Sequence, residues 1–431
     1  MSSGLPSTTG PRYSVDGVRN DPDSQGLMLR TRRSRRKRPG RQNSCTTAAT
    51  MHYVTEAGEL ARIAAEIRTA DLVGVDTEAA GYHRYHDRIC LLQISTRTDT
   101  FIIDTLALAD IEPLRHAFEN SALESVFHDA DYDLRLLSRD YGVRVRNLFD
   151  TKIAAQLLGE PAIGLAALVE KHLGVRLDKK HQRADWAQRP LPPDLIAYAA
   201  EDTRHLPGLR DQLRSELERR GRLGWAEEEF GLRERLDTAP AAEDPDAFLR
   251  IKNTRDLTAR QLAALRELHD WREGVAERRD VAPFRVISND VLIAVARALP
   301  VGADALRSAS GIPGSLAERY GRDLLAAVAR ALALPDEQLP RRKRGGLRAA
   351  PDPDFDALVD RLKDARDRAG EALGLERGFL MPRQQLEDVA RSGARTLAEL
   401  SAIPDVRQWQ VEALGDRLLQ VLRAPVSPPR G

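Results

Sequence analysis

LVGVDTE, residues 72–78, is a short run of branched apolar residues that ends in two carboxylates separated by one threonine. Four to eight such residues closed by polar ones read as a buried strand. Side chains at i and i+2 of a strand share a face, so Asp76 and Glu78 stand side by side, about 7 Å apart along the chain. Two like charges at the end of a buried strand repel each other and lose hydration unless a cation lies between them. A divalent metal fits, because hard cations choose oxygen ligands. For this D-x-E alone the plainer reading has the advantage: the carboxylates face water where the strand ends. The rest of the chain has to decide.

At 431 residues the chain exceeds one core, and two to four domains are expected. Charged residues at 30% and hydrophobic ones at 42% are ordinary for a soluble protein. No apolar run approaches the ~18 residues of a membrane span, and no signal-peptide pattern appears. Cys45 and Cys90 sit in unlike contexts and form no metal or redox motif, so a reduced, cytoplasmic compartment is the expectation. Residues 1–50 hold ten Arg and Lys against three Asp, net +7, so the remainder carries −6 of the total +1. The body of the protein is therefore not a generically basic nucleic-acid binder. The first 50 residues, including RTRRSRRKRPGR (30–41), have no hydrophobic period and read as a disordered basic tail. That tail is a phosphate-binding arm, a solvated segment, or untranslated sequence, with translation starting at Met1, Met28 or Met51. A chain beginning at Met51 is expected to fold unaided.

Residues 51–235 form the first expected domain. Leu60, Ile63, Ala64 and Ile67 have helical spacing, and strands follow at 72–78, 89–95 (ICLLQIS) and 100–106 (TFIIDTL), an antiparallel start to a mixed sheet. A helix over 111–118 and a strand over 125–128 come next, then helices over 131–138, 151–158, 165–173 and 195–217. Strands first, then alternation, give an α/β domain with helices packed on a sheet.

Further acids stand in this region. In FHDADYDLRLL (127–137) a strand runs into a helix; Asp129 or Asp131 reads as the N-cap, whereas Asp133 falls on the first turn beside the apolar Leu134 and Leu137. In YAAED, Tyr198 and Asp202 are four apart and share a helix face among apolar neighbours. Carboxylates from separate elements can hold a pair of divalent ions about 3.5–4 Å apart, the arrangement that hydrolyses phosphodiesters. Three groups have two readings each. His83 and His86, with Tyr82 and Tyr85, stack on RNA or line a solvated loop. His128 packs in the core or supports the site from behind. Lys179, Lys180, His181 and Arg183 touch phosphate or water.

The joint pattern resembles the ribonuclease D family of DEDD 3′-to-5′ exonucleases. Asp76 and Glu78 match its first motif, Asp133 in HDADYDL the second, and Tyr198 with Asp202 in YAAED the third. Tyrosine four before the last Asp matches the tyrosine branch; the histidine branch has His five before, where this chain has Ala197. LLQI (91–94), FDTKIAAQLLG (149–159) and KKHQRADWAQRPL (179–191) resemble the blocks between motifs, and the match spans essentially all of 51–425. The resemblance implies a ribonuclease H-like mixed sheet flanked by helices, and two Mg²⁺ or Mn²⁺ ions. Asp76, Glu78 and Asp202 would hold the first ion, Asp76 and Asp133 the second, and Tyr198 would orient the attacking water. Ala79-Ala80-Gly81 departs from the aromatic residue often found after the first motif, which leaves the contact to the terminal base open.

Beyond an acidic, Pro-containing linker (236–248) the chain becomes helical and repeats itself. LIAVAR then LRSASGIP (292–313) is answered by LEDVAR then LAELSAIP (386–404), and RYGRDLLAAV (319–328) by ALGDRLLQVL (413–422). The first copy (249–335) resembles the HRDC domain, a small helical bundle. The second (353–424), after a basic linker (336–352), is a divergent relative suited to packing, and 425–431 is a tail. The bundles carry no carboxylate cluster and are expected to bind RNA while the nuclease domain works without them. No GxxxxGK[ST] occurs, which removes a helicase. Together these readings give a metal-dependent 3′-to-5′ exoribonuclease that trims RNA 3′ ends, tRNA precursors by resemblance, and releases nucleoside 5′-monophosphates. A 3′-to-5′ DNA exonuclease and a catalytically silent nucleic-acid-binding adaptor are the alternatives. Nothing in the sequence bears on oligomeric state, and no membrane partner is expected.

Overall fold

The computed structural model describes residues 50–178, 180–181, 183–235, 244–341 and 352–424. The tail with Cys45, Lys179, most of both linkers and the C-terminal residues lie outside the described residues. Six strands form one mixed sheet: β1 (Thr50–Val54), β2 (Leu72–Ala79), β3 (Ile89–Ser95), β4 (Asp99–Asp104), β5 (Glu124–Phe127) and β6 (Leu148–Asp150). Their spatial order is β1-β4-β3-β2-β5-β6. The β2-β3-β4 stretch is antiparallel, as expected, and β1, β5 and β6 join in parallel. Eight helices flank the sheet: α1 (Ala57–Ile67), α2 (Glu112–Phe118), α3 (Asp131–Tyr141), α4 (Thr151–Leu158), α5 (Leu165–Leu173), α6 (Pro193–Arg204), α7 (Leu206–Arg219) and α8 (Leu223–Glu234). No described helix is long and apolar enough to cross a membrane.

The sequence reading of this domain differs at several points, and α8 is one helix it did not place. β1 and the three-residue β6 were not anticipated: β6 is too short to show a period. β1 opens at Thr50, paired with Asp99, one residue before the expected start of the fold. The helix expected over 195–217 breaks at His205, because Pro207 on the first turn of α7 has no N–H for the Thr203 carbonyl. That carbonyl, left with the His205 N–H at the end of α6, faces Gly74 of β2, where a Cβ would lie 2.7 Å from it and 2.8 Å from Leu206 Cβ. Only glycine lets α6 settle this close to the central strand. Ser95 and Thr203 hydroxyls lock the same junction at 2.7 Å.

The repeats form two bundles with the same order of long, short, medium, short and long helices. The first contains α9 (Ala259–Arg279), α10 (Pro283–Val286), α11 (Asn289–Ala298), α12 (Ala303–Ser308) and α13 (Gly314–Ala333). The second contains α14 (Pro353–Leu373), α15 (Arg377–Leu380), α16 (Arg383–Ser392), α17 (Leu397–Ser401) and α18 (Gln408–Arg423). The first has its own core. The second shares one continuous core with the nuclease domain, against the independence expected from the linkers. Trp409 is fully buried, stacks on Trp225 of α8 (5.5 Å between ring centres), and donates its indole N–H to Glu229 at 2.8 Å. Arg222 donates to the Leu157 and Leu373 carbonyls, which closes the C-terminal ends of α4 and α14 together (2.6 and 2.7 Å). Sequence periodicity reports that a helix has an apolar face, not which domain will cover it.

Two substitutions test these junctions by denaturant unfolding. Gly74→Ala overpacks the α6–β2 contact and should cost about 1–3 kcal/mol. Trp409→Ala should cost about 3–5 kcal/mol and lower the midpoint of the nuclease domain as well as of the bundle. Separate transitions, with the nuclease one unmoved, would refute the shared core.

Candidate active site

The last residues of β2 pair with β3 as Asp76↔Gln93 and Glu78↔Leu91, and the register slips between Glu78 and Ala79. Opposed residues of paired strands face the same side. Leu91 packs with Leu195, Ile196, Ala199 and Ala200 of α6, so Asp76 and Glu78 point toward that helix. A bulge at this point re-aims the strand as it leaves the sheet. From α6, Asp202 meets them: oxygens of Asp76, Glu78 and Asp202 lie within 4.8 Å of one another. Asp133 lies outside that group of three. It is buried on the first turn of α3 and accepts a hydrogen bond from the Thr77 hydroxyl, on the strand between the two β2 acids.

Burial and mutual repulsion make these carboxylates reluctant to ionise. Asp76 is pushed well up by burial and then by the charges of Asp133, Glu78 and Asp202; Glu78 by burial, Asp202 and Asp133. Burial raises Asp133 to about 7, against the opposing Thr77 hydrogen bond, and raises Asp202 to about 7, with Glu201 adding. Gln93, wholly buried opposite Asp76, has neither amide atom hydrogen-bonded among the described residues. A clustered set of hard oxygen donors beside an unsatisfied amide fits a divalent cation with its polar shell.

Tyr198 is half-buried one turn before Asp202, stacked on Trp186 (6.2 Å) with His181 edge-on (5.5 Å). Burial, then Asp202, Glu78 and Asp76, raise its phenol further, so it stays a neutral donor at neutral pH. The loop carrying Trp186 is anchored by Arg189, which bonds both oxygens of buried Asp104 (2.6 and 2.7 Å) and the Trp186 carbonyl (2.7 Å). Tyr53 of β1 donates to the same carboxylate.

The remaining sequence candidates fall as follows. Neither Asp129 nor Asp131 caps α3: Asp129 pairs with Lys152 and Asp131 with Arg233. Asp150 does the work from β6. Its buried carboxylate accepts from the N–H groups of Asp129 and Ala130 ahead of α3, and of Lys152 and Ile153 in α4. Its position before Thr151-Lys152 is an N-cap signal the sequence reading passed over. His128 is largely buried: its Nδ1 meets the Thr151 hydroxyl at 2.9 Å, and burial lowers its pKa to about 4. Lys180 pairs with Asp178 at 2.9 Å. His83 and His86 lie in the loop after β2, which is fastened to the first bundle.

Comparison with known proteins bears on the family and the fold. A 3′-5′ exonuclease family model matches residues 51–218, and an HRDC model matches 261–328 and 355–422. A ribonuclease D of Granulibacter bethesdensis is 32% identical over 372 residues, 85% of this chain and 91% of the relative. Among solved structures, a Bifidobacterium adolescentis protein matches with a TM-score of 0.75 at 26% identity, covering 86% of this chain and 97% of that one. Escherichia coli RNase D, described as an exoribonuclease involved in structured RNA processing, matches with a TM-score of 0.65 at 28% identity, covering 86% and 98%. The fold and the paired bundles thus define a 3′-5′ exonuclease with HRDC domains. Within that class the chain belongs to the ribonuclease D family and is a 3′-5′ exoribonuclease.

The raised pKa values predict a pH signature. With Asp202 at about 7 in the fold and near 3.9 unfolded, the native state binds the extra proton between those values. Its contribution therefore favours folding at low pH and is lost as pH rises toward about 7. Without metal, Asp202→Asn should be more stable than the parent by a margin that grows from pH about 4 to about 7 and then levels. With Mn²⁺ at a hundredfold excess over Kd, the parent should gain about 2.7 kcal/mol and the variant much less. Thermal melts across pH, with and without Mn²⁺, check both; a margin independent of pH would contradict the assignment.

Proposed function

We propose that Asp76, Glu78 and Asp202 hold one divalent cation, and Asp76 with Asp133 a second, Mg²⁺ or Mn²⁺ serving in both places. The observation that carries this reading is the meeting of three carboxylates from β2 and α6 within 4.8 Å, with Asp133 tied to the same strand by Thr77. Bound there, the cations would neutralise the acids and polarise the phosphodiester and the attacking water. Tyr198 supplies a neutral hydroxyl beside Asp202 and orients that water for in-line attack on the last phosphodiester. The water oxygen forms the bond to phosphorus and gives up a proton to solvent, the bond to the 3′ oxygen of the penultimate nucleotide breaks and that oxygen takes up a proton, and a nucleoside 5′-monophosphate leaves. Trp186 and His181 hold the Tyr198 ring so that its hydroxyl has one direction. The substrates are RNA 3′ ends, with tRNA precursors as the natural class and the cytoplasm as the place of action.

Digestion of 3′-labelled and 5′-labelled RNA tests this, beside DNA of the same sequence and a tRNA precursor with a 3′ extension. With Mg²⁺ or Mn²⁺, 3′ label should appear at once as mononucleotide while 5′-labelled RNA shortens stepwise. Asp76→Asn should lose on the order of 10³-fold or more in single-turnover rate. Tyr198→Phe should lose roughly 10- to 1000-fold while keeping its metal-dependent stabilisation. Tyr198→Phe cleaving at the parent rate would remove the role given to that hydroxyl. Equal digestion of DNA would enlarge the substrate class, and an untouched precursor would remove tRNA from it.

A further inference from the structure

The exposed large aromatic side chains among the described residues are Tyr82, Tyr132 and Phe284, at 46%, 47% and 51% exposure. Single exposed aromatics need no explanation, but these three gather around one loop. That loop, residues 80–88, leaves the bulge of β2 directly after the candidate metal ligand Glu78. Tyr132, the neighbour of Asp133, donates to Asp87 in it at 2.6 Å. Tyr82, at its tip, meets Phe284 of α10 with ring centres 5.4 Å apart. The first bundle thus reaches the mouth of the nuclease site.

The junction is built from directed bonds. Asp280 accepts from the Tyr85 and His86 N–H groups (3.2 Å each), the Ala282 N–H donates to the His83 carbonyl (3.2 Å), and Arg285 bonds His83 Nδ1 (2.7 Å). Guanidinium groups flank the rings: Arg285 lies 5.7 Å from the centres of both Tyr82 and Phe284, and Arg183 lies 5.9 Å from Tyr82. Arg183 comes from the loop that carries Trp186 against Tyr198, and its carbonyl meets His83 Nε2 at 2.9 Å. Three segments therefore place half-exposed aromatic rings and guanidinium groups together. That combination matches a single-stranded polyanion with stackable bases. Four residues of chain reach at most about 14 Å, so Tyr82 lies within the first few nucleotides of a strand whose terminus is at Glu78.

We propose that Tyr82 and Phe284, flanked by Arg183 and Arg285, form a base-stacking site for the RNA strand just 5′ of the scissile bond, so that the first helical bundle binds substrate directly. This rests on the placement of the reacting phosphodiester at Asp76, Glu78 and Asp202.

The test is fluorescence anisotropy of 5′-labelled single-stranded RNA in EDTA, where binding is read without cleavage, followed by steady-state kinetics with Mg²⁺. Phe284→Ala and Tyr82→Ala should each weaken binding by about 5- to 150-fold, the value of one base–aromatic stack. Phe284→Tyr, which keeps a ring, should retain affinity. RNA carrying abasic positions near its 3′ end should bind the parent as weakly as intact RNA binds Phe284→Ala, and the two losses should not add. In turnover, Phe284→Ala should raise KM and leave kcat unchanged. The proposal is overturned if Phe284→Ala binds intact RNA like the parent, or loses the same factor on abasic RNA. It is equally overturned if kcat falls at constant KM, or if polyglutamate competes as well as RNA of equal charge. If anisotropy gives the predicted pattern but the parent cleaves no RNA with either metal, the stacking site stands and the reading of the acids fails.

Discussion

The structure is organised around a repulsion. Three carboxylates converge where β2 leaves the sheet, and a fourth is tied to the same strand through Thr77. Two unit charges 4 Å apart repel by about 4 kcal/mol at an effective dielectric near 20, more than a typical hydrogen bond returns. Nothing local could hold such a group together. The restraint comes from the fold: Gly74 admits the Thr203 carbonyl, the Ser95–Thr203 bond fixes the end of α6, and Asp150 ties two N–H groups ahead of α3 to two in the first turn of α4. The acids relieve the repulsion by holding protons or, on the function proposed above, by exchanging them for a cation.

The two bundles have one architecture and two uses. The second is joined to the nuclease domain through the Trp225–Trp409 stack and a shared apolar core. The first keeps its own core and touches the nuclease domain at the loop after β2, through polar bonds, the Tyr82–Phe284 ring contact and Tyr85 packed against that core. One copy has become part of the enzyme's body, and the other is fastened to the loop that follows β2.

Much of the fold was legible from period and composition. The central strands of the sheet, its antiparallel start, the apolar face of α1 and the helical repeats all follow from local pattern. The strand with Asp76 and Glu78 and the helix face with Tyr198 and Asp202 could be placed because spacing alone sets which side chains share a face. What escaped depended on contacts between distant residues. Pro207 was present to be read as a helix break, but its consequence depends on Gly74, more than a hundred residues earlier. Asp150 looked like part of a family block, and its service to two helices exists only in three dimensions. Asp129 and Asp131 sit where caps belong, yet ion pairs with Lys152 and Arg233 take them instead.

The central claim is that these acids exchange protons for divalent cations, and calorimetry reads that exchange directly. Mn²⁺ is titrated into the full chain near pH 6 and again near pH 9, each in two buffers of different ionisation enthalpy, with Asp76→Asn as the reference. With Asp133 and Asp202 near 7, and Asp76 and Glu78 also raised, binding near pH 6 should release protons into the buffer. The release should shrink by pH 9, and the variant should bind more weakly. Tight Mn²⁺ binding with no proton release at either pH, or binding unchanged in Asp76→Asn, would contradict the account.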